Sequence, residues 1–250
     1  MPNDMHKPRF FASAASRDIV IFIHGFMGSP RQFDSLAEAV NKHGCSAATL
    51  LLPGHGGSAK NFASGTFESW QSHVDSEVER YSRDYQNIWL GGHSMGGLLA
   101  INAAVKFNRF VRGIFAIACP FKLTMFSMYA TKIRLRQFFC KKDDPIKAVY
   151  LSNSSIALTP NLLLHSRKPG AEMKKLMFAA RNNLPEVRVP VTAVYSTSDE
   201  LTSIESNDIL KKELVKAPCE TIILTESLHA YYTEKEHEII KQALIKLISG

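Results

Sequence analysis

Ser94 stands in the run Gly92-His93-Ser94-Met95-Gly96, which follows the apolar segment Asn87–Leu90 and precedes a helical stretch, Met95–Phe107. A G-x-S-x-G set between strand and helix suits a sharp turn that pushes the serine oxygen out at the end of the strand. Glycines at the flanking positions are needed because the turn is tight and side chains there would collide. The helix beginning at Met95 directs its free N–H groups and positive dipole end towards that oxygen. Such a serine is suited to nucleophilic attack on an acyl carbon, and a base and an orienting acid should follow. Downstream, Val191–Tyr195 leads into Ser196-Thr-Ser-Asp199-Glu200, and Thr221–Leu224 leads into Thr225-Glu-Ser-Leu-His229. His229 is the expected base and Asp199 the group that holds its tautomer, with Glu200 expected to point away. Of the other histidines, His237 falls in the last predicted helix, and His55 and His93 sit beside turn glycines. His24, ahead of the turn Gly25-Phe26-Met27-Gly28, reads as an orienting structural residue. The backbone amides of Phe26 and Met95 are the natural pair of donors for a developing oxyanion.

These groups require a scaffold that brings several strand ends together. Short β-branched segments recur at Ile19–Ile23, Ala47–Leu52, Asn87–Leu90, Gly113–Ala118, Val191–Tyr195 and Thr221–Leu224. Helical stretches at Pro30–His43, Phe67–Tyr85, Met95–Phe107, Ser203–Leu214 and Glu234–Ile248 separate them. The alternation predicts an α/β fold, a mainly parallel sheet covered by helices on both faces. Between Pro120 and Arg188 no convincing strand occurs, which predicts an inserted helical cap at 120–188 on a core formed by 1–119 and 189–250. Phe121–Tyr129, rich in aromatic residues and methionine, suits an adaptable pocket wall or plain core. Ser166-Arg-Lys-Pro-Gly170 reads as a turn between cap helices. The Pro53–Ser58 turn would line the site from the side or serve turn geometry alone; it lacks the lysine of a phosphate loop.

Composition narrows the possibilities. The chain has 250 residues, 45% of them hydrophobic, enough for a sizeable core, and a formal charge of +7. No nucleic-acid-binding motif accompanies that charge. The densest basic cluster, Lys132, Arg134, Arg136, Lys141 and Lys142, alternates with apolar residues as a solvated helix face would; docking on an anionic membrane surface is the alternative. Cys45, Cys119, Cys140 and Cys219 show neither zinc spacing nor a dense disulfide pattern. With no secretory leader or apolar span of about 18 residues, a soluble cytoplasmic enzyme is expected.

The chain resembles the α/β-hydrolase superfamily, and within it small bacterial carboxylesterases and monoacylglycerol-lipase-type serine hydrolases. The matching residues are His24-Gly-Phe-Met-Gly-Ser29, Leu52-Pro-Gly-His-Gly-Gly-Ser58, Gly91-Gly-His-Ser-Met-Gly-Gly97, Asp199 and Ser227-Leu-His229. The likeness runs from Ile19 to the C-terminus, although the short N-terminal stretch leaves little room for the hairpin many members carry before the first core strand. It implies a triad of Ser94, Asp199 and His229, an oxyanion hole at Phe26 and Met95, and hydrolysis of a small-molecule ester without metal or organic cofactor. The apolar cap favours short- to medium-chain acyl or monoacylglycerol-like esters. Thioester, amide or carbon–carbon hydrolysis would use the same groups, and a non-catalytic ligand-binding homologue is the rival from another class. Dehalogenase and epoxide-hydrolase relatives carry aspartate where this chain has Ser94.

Overall fold

Strand Asp18–Ile23 shows how the sheet is built. Ile19, Ile21 and Ile23 face one core, Val20 and Phe22 face another, and all five are fully buried. A strand apolar on both sides belongs in the middle of a sheet covered on both faces. The computed structural model describes residues 6–14, 16–124, 144–156 and 165–250. The Lys132–Lys142 cluster, Met125–Tyr129 and Cys140 lie outside the described residues.

Seven strands form one sheet in the order β1-β3-β2-β4-β5-β6-β7. In chain order they are β1 (Arg9–Phe11), β2 (Asp18–Ile23), β3 (Ser46–Leu50), β4 (Asn87–His93), β5 (Val111–Ile117), β6 (Val191–Ser196) and β7 (Cys219–Leu224). Every pairing is parallel except β1 with β3, which is antiparallel. Six strands match the six expected segments. β1 is additional: three residues, Arg9-Phe10-Phe11, are too few for an alternating pattern, and pairing with β3 alone defines them. β4 also runs past Leu90 through Gly91, Gly92 and His93, because the register with β2 and β5 keeps both glycines extended.

The helices are α1 (Asp34–Lys42), α2 (Ala59–Phe62), α3 (Phe67–Tyr81), α4 (Met95–Lys106), α5 (Pro145–Asn153), α6 (Arg167–Asn183), α7 (Glu205–Glu213) and α8 (Glu234–Ile248). On one face α1 and α8 cover Val20, Phe22, Trp89 and Phe115 with Leu36, Val40, Ile240 and Leu244. On the other, α3, α4 and α6 bury Trp70, Val74, Leu98, Ile101, Leu176 and Ala180 against Ile21, Leu90 and Ile114. At about 1.5–3 kcal/mol for each fully buried large apolar side chain, these two layers supply the main driving force for the fold. Among the described residues no helix is long and apolar enough to cross a membrane.

Ser166–Gly170 is not a turn. The Gly170 amide donates to the Ser166 carbonyl, and Arg167–Gly170 form the first turn of α6. Proline is compatible there, since the first amides of a helix lack intrahelical acceptors and Pro169 forfeits none.

Candidate active site

Strand β4 delivers Ser94 at the carboxyl edge of the sheet, where its backbone enters α4 at φ 52°, ψ −116°. A non-glycine residue there carries about 1–3 kcal/mol of strain, held by surrounding structure. The Ser94 amide donates to the Ile117 carbonyl at 2.7 Å and its carbonyl accepts from Gly97 at 3.0 Å, clamping both sides of the turn. The flanking glycines are sterically required. A Cβ on Gly96 would lie 1.9 Å from the Ile23 carbonyl oxygen, and one on Gly92 would lie 2.4 Å from the Gly96 carbonyl.

After β2 comes the turn Gly25–Gly28, closed by a 2.9 Å bond from the Gly28 amide to the Gly25 carbonyl, with Met27 at φ 60°. A Cβ on Gly25 would sit 3.2 Å from Ser94 Cβ, so this backbone passes directly against the serine. The Phe26 amide makes no backbone hydrogen bond among the described residues, and Met95, first residue of α4, has no intrahelical acceptor. Both donors stand at the edge where an oxyanion beside Ser94 would form. His24, fully buried, donates Nδ1–H to the Gly25 carbonyl at 2.9 Å and accepts the Leu52 amide at Nε2 at 3.1 Å. Burial, and then the nearby His55, hold it well below the ordinary histidine range. It orients the turn.

Asp199 follows β6 and His229 follows β7, and the structure brings their side chains together. Nδ1 of His229 lies 2.9 Å and 3.1 Å from the two Asp199 oxygens, with both residues buried. The Leu201 and Thr202 amides also donate to Asp199 Oδ1, at 2.8 Å and 2.7 Å. Burial alone would raise the Asp199 pKa, but His229 and these two amides outweigh it and hold the carboxylate below its usual range. Burial likewise opposes charge on His229; the Asp199 carboxylate and, to a lesser degree, Glu200 outweigh it and raise the imidazole above 6.5.

Ser94 and His229 line the same cavity of about 720 Å³, whose other walls include Phe26, Met27, Leu123, Met173 and Leu201. No hydrogen bond joins Ser94 to His229 among the described residues. In unliganded sites such contacts are often loose and tighten around substrate.

Three residues around His229 carry roles that motif reading missed. His93 Nε2–H donates to the His229 carbonyl at 2.8 Å, and burial followed by the charge of His229 pushes the His93 pKa down to about 3, so it stays neutral. Glu200, expected to point away, is fully buried and accepts the His229 amide at 3.0 Å. Tyr150 of α5 donates its hydroxyl to Glu200 and accepts the Ala230 amide at 3.3 Å. An acid beside Asp199 was the available signal for Glu200; nothing local marks Tyr150. The Pro53–Ser58 turn supplies no wall of the cavity. Instead the Pro53 carbonyl accepts Trp70 Nε1–H at 3.1 Å and His55 stacks edge-on against His24.

A mainly parallel sheet with a strained serine at a strand-to-helix turn, and an acid–histidine pair after the last two strands, defines an α/β hydrolase. The sequence profile of the Alpha/beta hydrolase family matches residues 20–224, and the chain belongs to that family. Among curated relatives, a thermostable monoacylglycerol lipase from Bacillus sp. (strain H-257) is 23% identical over 222 residues, covering 88% of this chain and 86% of the lipase. Among solved structures, one from a study of the metagenome-derived lipolytic enzymes LipS and LipT has a TM-score of 0.75 at 21% identity, covering 99% of both chains. The monoacylglycerol lipase of Paleococcus ferrophilus has a TM-score of 0.73 at 18% identity, covering 97% of this chain and 98% of its own. At these identities the structural likeness establishes the fold.

Proposed function

We propose that the protein is a carboxylic ester hydrolase that works through an acyl-serine intermediate, with Ser94 as nucleophile, His229 as base and Asp199 as orienting acid. The observation that carries this reading is the buried Asp199–His229 pair opening onto the cavity wall that also holds Ser94. His229 Nε2 takes the Ser94 proton as Oγ attacks the acyl carbon, and the Phe26 and Met95 amides receive the oxyanion. The imidazolium then protonates the departing alcohol, and a water activated by His229 releases the acid. Asp199 keeps Nδ1 protonated, leaving Nε2 as the basic atom.

The cavity volume falls within the usual range for small-molecule sites, about 300–1,000 Å³. Its apolar walls suit the acyl part of a short- to medium-chain or monoacylglycerol-like ester. We propose 120–188 as the inserted cap segment, with α5 and the start of α6 at the cavity while Leu176 and Ala180 of α6 pack in the core layer. The cytoplasm is the proposed setting, in keeping with free Cys45, Cys119 and Cys219.

The test is hydrolysis of p-nitrophenyl esters of increasing acyl length by the parent, Ser94→Ala and His229→Ala. Turnover that peaks at one chain length and falls in Ser94→Ala by about a million-fold, the scale of nucleophile loss in serine hydrolases, is the expected result. Parent protein that neither turns over any ester nor reacts with a fluorophosphonate at Ser94 would overturn the proposal.

A further inference from the structure

The His229 backbone is held on both sides by side chains from elsewhere in the fold. Its carbonyl accepts from His93 Nε2–H at 2.8 Å and from the Tyr232 hydroxyl at 3.1 Å; its amide donates to Glu200 Oε2 at 3.0 Å. The next amide, Ala230, donates to the Tyr150 hydroxyl, which in turn donates to Glu200 Oε1. Consecutive residues after β6 therefore divide the histidine between them: Asp199 takes the ring and Glu200 takes the backbone. Tyr150 is the one member of this set that comes from the interval between β5 and β6. The same stretch also reaches the opposite side of the site, where the Ser155 amide, just beyond α5, donates to the Met27 carbonyl at 2.9 Å in the turn carrying Phe26. The α5 segment thus spans from the base loop to the oxyanion turn.

We propose that Glu200 and Tyr150 are positioning residues that hold the His229 loop in its reactive placement, and that Tyr150 locks α5 onto that loop. Glu200 does not line the cavity; Tyr150 does, with its hydroxyl engaged by Glu200 and the Ala230 amide and so turned from the Ser94–His229 pair. Glu200 acts through the His229 amide, and Tyr150 acts through Glu200 and the Ala230 amide, so a shift of α5 is transmitted to the imidazole. Each polar group withdrawn from water must find its partner inside, and among those of Glu200 are the His229 amide and the Tyr150 hydroxyl.

The inference rests on the esterase reading for its kinetic arm and is independent of that reading in its spectroscopic arm. Tyr150→Phe deletes one hydroxyl, alters no charge and keeps the ring. It is expected to lower kcat about tenfold, the scale of one intramolecular hydrogen bond, with KM nearly unchanged. Its signature is a His229 Nδ1–H proton resonance that is downfield and slow to exchange in the parent and becomes broadened or shifted in the variant. Glu200→Gln keeps an acceptor for the His229 amide and should retain more activity than Glu200→Ala. If Tyr150→Phe keeps the parental kcat and the parental His229 resonance, the lock is refuted. If the parent acylates no substrate, the ester reading fails, and the His229 resonance in Tyr150→Phe still decides the positioning claim.

Discussion

The turn at Ser94 and the loop at His229 meet the same requirement, fixing a side chain proposed to take part in catalysis at the sheet edge, by opposite means. Steric exclusion fixes Ser94: β4 and α4 meet so closely that only glycine fits at 92 and 96, and the serine is forced to φ 52°. His229 sits in a loop where polar partners do the holding. Asp199 binds its ring, Glu200, His93 and Tyr232 bind its backbone, and Glu236 organises the turn before it. Glu236, near the start of α8, accepts the amides of Thr225 at 2.7 Å, Glu226 at 3.1 Å and Ser227 at 2.8 Å. A site built this way has one half that fails by misfolding and one half that fails by losing alignment.

Three substitutions break or sharpen that contrast. Asp199→Asn strikes the polar half hardest: the amide can favour the wrong imidazole tautomer, and kcat should fall about ten-thousand-fold, the scale of that change in other serine triads. Its pH profile carries the sign. In the proposed mechanism His229 must be neutral to act as base, and its raised pKa would place the rise of activity above pH 6.5. Without the Asp199 charge any residual activity should begin to rise at lower pH, and an unmoved midpoint would show that another group sets it.

Gly96→Ala strikes the steric half. A Cβ 1.9 Å from a β2 carbonyl cannot be accommodated without moving strand or helix. We expect a loss of more than about 3 kcal/mol, at or beyond the upper range for overpacking, read as a large drop in Tm. A variant as stable as the parent would show that the elbow is not sterically fixed.

Glu236→Gln is the mildest. It keeps an acceptor oxygen but weakens several charge-assisted bonds, and should cost about 1–3 kcal/mol in urea unfolding at neutral pH. Burial alone would raise the Glu236 carboxyl, yet the Ser227 hydroxyl and the three amides outweigh it and depress its pKa below 4.5. A depressed carboxylate stabilises above its unfolded pKa and loses that contribution as pH falls through the folded value. The parent should therefore lose stability in that acid window more steeply than the variant. Parallel acid limbs would mean that Glu236 is not the group responsible.

The two halves also differ in how far they can be read from residues alone. Gly92 and Gly96 flank Ser94 in sequence, so the local spacing carries the physical constraint. The central strands β2, β4, β5 and β6 are legible for the same reason, as apolar runs buried on both faces, while the edge strand β7, with Ile223 exposed, reads only from its β-branched residues. β1 is too short to show a period and is defined by its partner β3. The Ser166–Gly170 stretch reads as a turn because proline and glycine usually end structure, whereas the Ser166 carbonyl and the packing of Leu176 and Ala180 make it the start of α6.

Sequence by itself determined the family, through the resemblance of its motifs, and the strands and the Ser94 turn, because those follow from periodicity and from a steric rule acting over a few residues; Asp199 and His229 were placed by the strands they follow. Only the tertiary structure decided that Glu200 turns inward, that His93 holds the His229 carbonyl and that Tyr150 reaches the base loop from α5. Those contacts join residues 29, 136 and 80 positions apart, and a hydrogen bond to a distant backbone leaves no pattern in the order of the residues that make it.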